Sequence, residues 1–153
     1  MKGWGWQGEF TLEAVRAHWN QVALVYDGWN KAYDSTHFQR FEEGLKHLDL
    51  QAGMRVLDVW CRTGNASRYI SAACPEARYF GLELAEELLW RAHQKYPQRD
   101  FVHGTMVHLP FASASFERVV SLETLEHIPN PIQFLHEVHR VLQPGGRLVL
   151  STP

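Results

Sequence analysis

The chain has 153 residues, about one domain's worth, with a formal charge of −2 and a pI near 6.5. That balance offers no basic footprint for nucleic acid, and no apolar run approaches the ~20 residues a membrane span needs. Two cysteines, Cys61 and Cys74, fit no metal spacing and no disulfide framework, which predicts reduced thiols in the cytoplasm.

Residues 3–8 are a Trp/Gly segment without periodicity, and the N-terminus lacks the apolar stretch of a signal peptide. From Leu12, apolar residues recur at helical spacing: Val15, Trp19, Val22, Ala23 and Tyr26. Thr11 is placed to cap this helix, and Asp27-Gly28 reads as its stop. A second helix is predicted over 35–48, with Phe38, Phe41, Leu45 and Leu48 on one face. These two helices, residues 1–50, are expected to pack across one end of the remaining chain as a lid or flank.

Residues 51–153 then alternate strand and helix within the same structural domain. Strands are predicted over 55–59, 79–82, 101–103, 118–121 and 147–151. Helices are predicted over 64–74, 85–96 and from Asn130 to Leu142, the last with Asn130 as N-cap, Pro131 at the first turn and Pro144-Gly145-Gly146 after it. Alternation of this kind argues for a doubly wound, Rossmann-like parallel sheet with flanking helices. Leu148-Val149-Leu150 reads as an interior strand, yet no later strand follows in the sequence. An edge of that kind is expected to favour self-association.

In such a sheet, ligands lie outside the carboxyl ends of the strands. The first strand ends in Asp58 and a turn to Gly64, the second in Glu83, and the third leads to Thr105-Met106. The fourth ends in Ser121, with Glu123, Glu126 and His127 beyond it. An acid about 20 residues past the first turn suits a pair of ribose hydroxyls. With apolar Leu84 and Met106 beside it, the set describes a nucleoside site. No G-x-G-x-x-G pattern cradles a pyrophosphate, so a nicotinamide cofactor fits poorly.

These residues carry a resemblance. Val56-Leu57-Asp58-Val59 with Cys61, Thr63 and Gly64, Gly81-Leu82-Glu83, Leu109-Pro110-Phe111, Leu125-Glu126-His127-Ile128 and Arg140-Val141-Leu142-Gln143-Pro144-Gly145-Gly146 resemble the class I S-adenosylmethionine-dependent methyltransferases, in particular the ubiquinone/menaquinone-biosynthesis branch. The resemblance implies a seven-stranded sheet whose last two strands are missing here, S-adenosylmethionine as cofactor and a small-molecule acceptor. It implies Asp58 and Gly64 at the methionine part, Glu83 at the ribose, and Thr105 and Met106 at the adenine. Trp60, Leu84 and Ser121 complete the expected binding residues.

The chain departs from that pattern at Trp60 and Arg62, where the family has glycine. Glycine there permits positive φ, whereas a bulky residue incurs roughly 1–2 kcal/mol of strain. The Trp60 indole competes for the space of the methionyl tail. Arg62 puts a cation near a sulfonium, or else meets the ligand's carboxylate. Thr105 stands where the family has an acid. His127 beside Glu126 is expected to order its loop, Cys61 to be a packed thiol, and His37 and Arg40 to lie at the surface, while a lid at Tyr26-Asp27 is the alternative to a plain packing role there. Two functions therefore stand: a small-molecule methyltransferase, and a non-catalytic relative with impaired donor binding that serves as an interaction module.

Overall fold

The computed structural model describes residues 10–32 and 34–152, apart from the side chains of residues 31, 32, 34–38 and 40. The segment at 3–8, the side chains of His37, Phe38 and Arg40, and Pro153 lie outside the described residues. Helix α1 spans Leu12–Ala32 and α2 spans Asp34–Lys46. Thr11 Oγ1 accepts the Ala14 N–H at 3.2 Å, as an N-cap should. Helix α1 does not stop at Asp27-Gly28. One interior glycine costs a helix about 1 kcal/mol, and two things outweigh it here. Val22, Ala23 and Tyr26 are buried, and Asp27 is held from outside by Thr63 at 2.9 Å and Lys95 at 3.0 Å.

The alternating part comprises β1 (Arg55–Val59), α3 (Ala66–Ala73), β2 (Arg78–Glu83), α4 (Glu86–Lys95), β3 (Asp100–His103), β4 (Phe116–Leu122), α5 (Pro131–Val141) and β5 (Leu142–Ser151). Asn130 caps α5, its Oδ1 accepting the Gln133 N–H at 3.0 Å. Strand β5 begins five residues earlier than its apolar run suggests. Leu142 already pairs with Phe116, residues 143–146 bulge outward with Gly145 at φ 76°, and pairing resumes at Arg118 with Arg147. A bulge keeps a strand continuous where a turn would end it.

Among the described residues the sheet has five strands in the order β3-β2-β1-β4-β5, all parallel. Alternate residues of β1 point to opposite faces. Leu57 and Val59 join a cluster with Trp19, Leu88, Phe134 and Val138, while Val56 joins one with Leu45, Ile70 and Tyr79. Both faces are therefore covered, as a parallel sheet requires. The chain runs from β1 outward to β3, then returns to the other side of β1 with β4. The topological switch point lies between β1 and β4, and every strand sends its carboxyl end to the same edge.

Helix α1 lies across that edge, clamped to the start of α4. Ala85, the N-cap of α4, has no capping side chain. Asn20 of α1 supplies the missing acceptor to the Glu87 N–H at 2.9 Å and donates to Glu86 at 2.8 Å, with Arg16 3.3 Å from the same carboxylate. Asn20→Ala should lower stability by about 1 kcal/mol, measured as a shift in urea midpoint at unchanged slope. A midpoint equal to that of the unaltered chain would show that the clamp contributes nothing.

Candidate functional site

The strand-turn-helix unit after β1 is built around Glu83, the last residue of β2, which has no solvent exposure. Its Oε2 accepts the Arg62 N–H at 2.8 Å, and its Oε1 accepts the N–H groups of Leu84 and Ala85, both at 2.8 Å. Burial pushes the carboxyl up to about 7, against these donors and the Arg62 cation, which favour the charged form. Glu83 thus ties the turn after β1 to the turn after β2. The Trp60 and Cys61 N–H groups complete the tie on the Leu82 carbonyl, at 2.8 and 2.9 Å.

The turn demands positive φ at three places. Gly64 sits at φ 75°, and a Cβ there would come within 2.6 Å of the Phe101 ring. Trp60 and Arg62 adopt φ 66° and 53°. Both departures from glycine thus keep the glycine conformation. Each incurs strain of roughly 1–2 kcal/mol; at Trp60 burial offsets it, since a large apolar side chain gains about 1.5–3 kcal/mol on full burial. The Trp60 indole is 2% exposed and meets the rings of Trp19 and His127 edge-on at 5.6 and 5.7 Å. Arg62 is 7% exposed. Its guanidinium lies 5.0 Å from the centre of the Trp19 ring and 5.9 Å from that of Tyr26. It donates to the carbonyl oxygens of Leu122, at 3.2 Å, and of Glu123.

The other expected residues divide. Asp58 is buried, accepts the Tyr79 hydroxyl at 2.7 Å, and pairs with Gly81 across the β1–β2 ladder. Ser121 is buried and donates to the Val59 carbonyl at 3.3 Å, so it ties β4 to β1. Leu84 and Met106 are in the core cluster that also contains Trp60. Thr105 is half-buried, its Oγ1 accepting the Val107 N–H at 3.2 Å. Cys61 is a buried thiol that burial, Asp58 and Glu83 push upward, so it stays neutral and packed. Among the described residues no group of three His, Cys, Asp or Glu side chains could hold a metal ion.

Several contributors escape a reading of local pattern. Trp19 is the centre of an aromatic cluster that touches Trp60, Tyr26, His127 and the Arg62 cation. Its helical spacing marks it as buried without saying against what. Glu137 accepts the Leu109 N–H at 2.7 Å, and Arg140 donates to the carbonyls of Leu109 and Phe111, which fixes the Leu109-Pro110-Phe111 loop. The i,i+3 spacing of Glu137 and Arg140 is the one visible signal of that pair.

A parallel doubly wound sheet with a buried acid at the end of β2 and a tight turn at the switch point defines a Rossmann-like domain. The chain belongs to the methyltransferase domain family, which residues 57–150 match. It is 31% identical over 144 residues to a demethylmenaquinone methyltransferase of Geobacillus kaustophilus, covering 90% of this chain and 62% of that one. The chain therefore spans less than two thirds of that relative's length.

A Haloferax volcanii methyltransferase solved in complex with the Trm112 activator superposes with a TM-score of 0.75 at 26% identity, over 85% of this chain and 57% of that one. A Haemonchus contortus phosphoethanolamine N-methyltransferase solved with S-adenosyl-L-methionine shares the fold at a TM-score of 0.69 and 20% identity, over 74% of this chain and 28% of that one. The cofactor of the family is S-adenosylmethionine. At the strand ends, Trp60 and Arg62 are buried in the turn after β1, and Arg62 reaches across to the Leu122 and Glu123 carbonyls at the end of β4.

His127 reports on that packing. Burial, then the Arg62 cation and His18, push its imidazole down to about 4, while Glu123 pulls the other way and Glu126 lies 3.6 Å away. The folded chain therefore holds His127 neutral, whereas the unfolded chain protonates it near the ordinary 6.5. Its contribution to stability is present above 6.5 and is lost as pH falls toward 4. Between those limits the unaltered chain should lose stability on acidification more steeply than His127→Phe, read from urea midpoints at several pH values. Parallel slopes for the two proteins would contradict the buried, neutral imidazole.

Proposed function

We propose that the chain is an S-adenosylmethionine-dependent methyltransferase domain acting on a small-molecule acceptor in the cytoplasm. The observation that carries this reading is Glu83. It is an acid at the end of β2, beside the switch point, inside a domain of the methyltransferase family. The names of the curated relatives, which refer to demethylmenaquinone, support a non-macromolecular acceptor. Two buried free thiols support a reducing compartment, and no described helix is long and apolar enough to cross a membrane.

The donor brings its own electrophile, a methyl group on a sulfonium. The chain's part is to hold and align, so proximity and orientation do most of the catalysis. Glu83 accepts hydrogen bonds best when ionised, and Leu84 and Met106 present an apolar wall beside it. His127, neutral at pH 7, orders the loop after β4 by packing between Trp19 and Trp60.

A second reading is a relative that keeps the fold and serves as an interaction module without binding the donor. The burial of Trp60 and Arg62 at the carboxyl edge favours it. Calorimetric titration with S-adenosylhomocysteine separates the two. The methyltransferase reading expects micromolar binding that strengthens as pH rises through about 7 and Glu83 ionises. Glu83→Gln should weaken it about tenfold, a loss of ~1.4 kcal/mol, and flatten the pH dependence. Absence of binding by the unaltered chain and by loop variants with glycine at 60 and 62 would exclude donor binding.

Self-association through β5 is proposed on the same footing. It is an outer strand among the described residues, with Leu148 and Leu150 half-buried. Sedimentation at increasing concentration should show a rising mass, and a constant monomer mass would dismiss the idea.

A further inference from the structure

The carboxyl edge between β1 and β4 is where a ligand of this fold is expected, and the buried Arg62 side chain spans that edge. Arg62 leaves the turn after β1 and reaches the carbonyls of Leu122, the last residue of β4, and of Glu123 beyond it. It thereby bridges the two strands that flank the switch point. Trp19 and Tyr26 of α1 offer their ring faces to the same guanidinium. Aromatic faces with converging carbonyl oxygens make a cation site. The cation in it belongs to the protein.

Two further observations show that this arrangement is not a relaxed core. The Nε of Arg62 and the Nε1 of Trp60 are buried without a hydrogen-bond partner. Three non-glycine residues at positive φ, Trp60, Arg62 and Glu123, gather at the same place. Strain and orphaned donors concentrated at a ligand position are the signature of a conformation held against an alternative.

We propose that the Arg62 guanidinium and the Trp60 indole are an internal plug in the donor crevice, latching α1 over the sheet, and that S-adenosylmethionine enters by displacing them. The inference rests on the donor-binding reading above. The donor carries a sulfonium, so plug and ligand carry the same charge. Displacement breaks no covalent bond. It frees the Leu122 and Glu123 carbonyls and releases the hold that Arg62 gives Trp19 and Tyr26. The Asp27–Thr63, Asp27–Lys95 and Asn20–Glu86 contacts remain as a second set of ties on α1.

The test compares the unaltered chain with Arg62→Gly and Arg62→Met. Glycine suits φ 53° and removes the charged half of the plug without backbone strain, leaving the Trp60 indole in place. Methionine keeps bulk but has neither charge nor donors. Two quantities are measured: amide hydrogen exchange across residues 12–32, and affinity for S-adenosylhomocysteine by calorimetry. The plug predicts exchange in α1 faster by about tenfold in both variants, and affinity tighter by about tenfold or more in Arg62→Gly, since the competent state is no longer a minor one. Unchanged exchange in α1 in both variants overturns the plug, whatever the affinities. Equal affinity in the unaltered chain and Arg62→Gly also overturns it. Faster exchange with no binding by any of the three proteins confirms the latch and refutes the donor-binding reading instead.

Discussion

A single carboxylate with no contact to solvent organises the carboxyl edge of the sheet. Glu83 accepts three backbone N–H groups drawn from two separate turns. Those donors would otherwise be orphaned in a place with no water, where each unsatisfied group costs about 1–3 kcal/mol. The carboxylate can do this because β1 and β2 are parallel neighbours, in register from Arg55 with Arg78 to Val59 with Leu82. Both strands end at the same level, so the turn after one reaches the acid at the end of the other. Burial opposes the charge and the donors favour it, which leaves Glu83 near the point of titration at neutral pH. A group so balanced responds to a neighbour that changes.

The neighbours are unusual for such a turn. Trp60 and Arg62 hold conformations suited to glycine, and each is kept there by what it packs on. Trp60 completes a core cluster that runs from α1 through β1 to Met106. Arg62 finds carbonyls and aromatic faces instead of a carboxylate partner. The same contacts bring α1 down onto the sheet, so turn and helix stabilise one another. Removal of either side exposes the strain of the other, which is why this region couples local backbone geometry to the position of a whole helix.

Much of the fold was legible from pattern. The strand at 55–59, the helix ends near 74 and 96, and the Asn130-Pro131 start of α5 each follow from local backbone chemistry, and each lies within a residue of where the structure puts an element boundary. The same local logic failed at Gly28 and at 142–146. At Gly28 the anchoring of Asp27 by Thr63 and Lys95 and the burial of the preceding turns carry the helix onward. At 142–146 cross-strand pairing with Phe116 and Arg118 draws a glycine-rich stretch into a strand as a bulge.

The sequence by itself determined the class of domain, the acid at the end of β2, and the two positions where a glycine conformation would be occupied by bulky side chains. The first two follow from periodicity, turn chemistry and spacing, which act over a few residues, and the third from the family resemblance. Only the tertiary structure decided what those residues do. It made Glu83 a tie between turns, Ser121 and Asp58 ties within the sheet, and Asn20 the cap of a helix 67 residues away. It also placed Arg62 between β4 carbonyls and the rings of α1. Those roles depend on strand order and on which helix lies over which edge. The distances that settle them run between residues far apart in the chain, and no local rule carries that information.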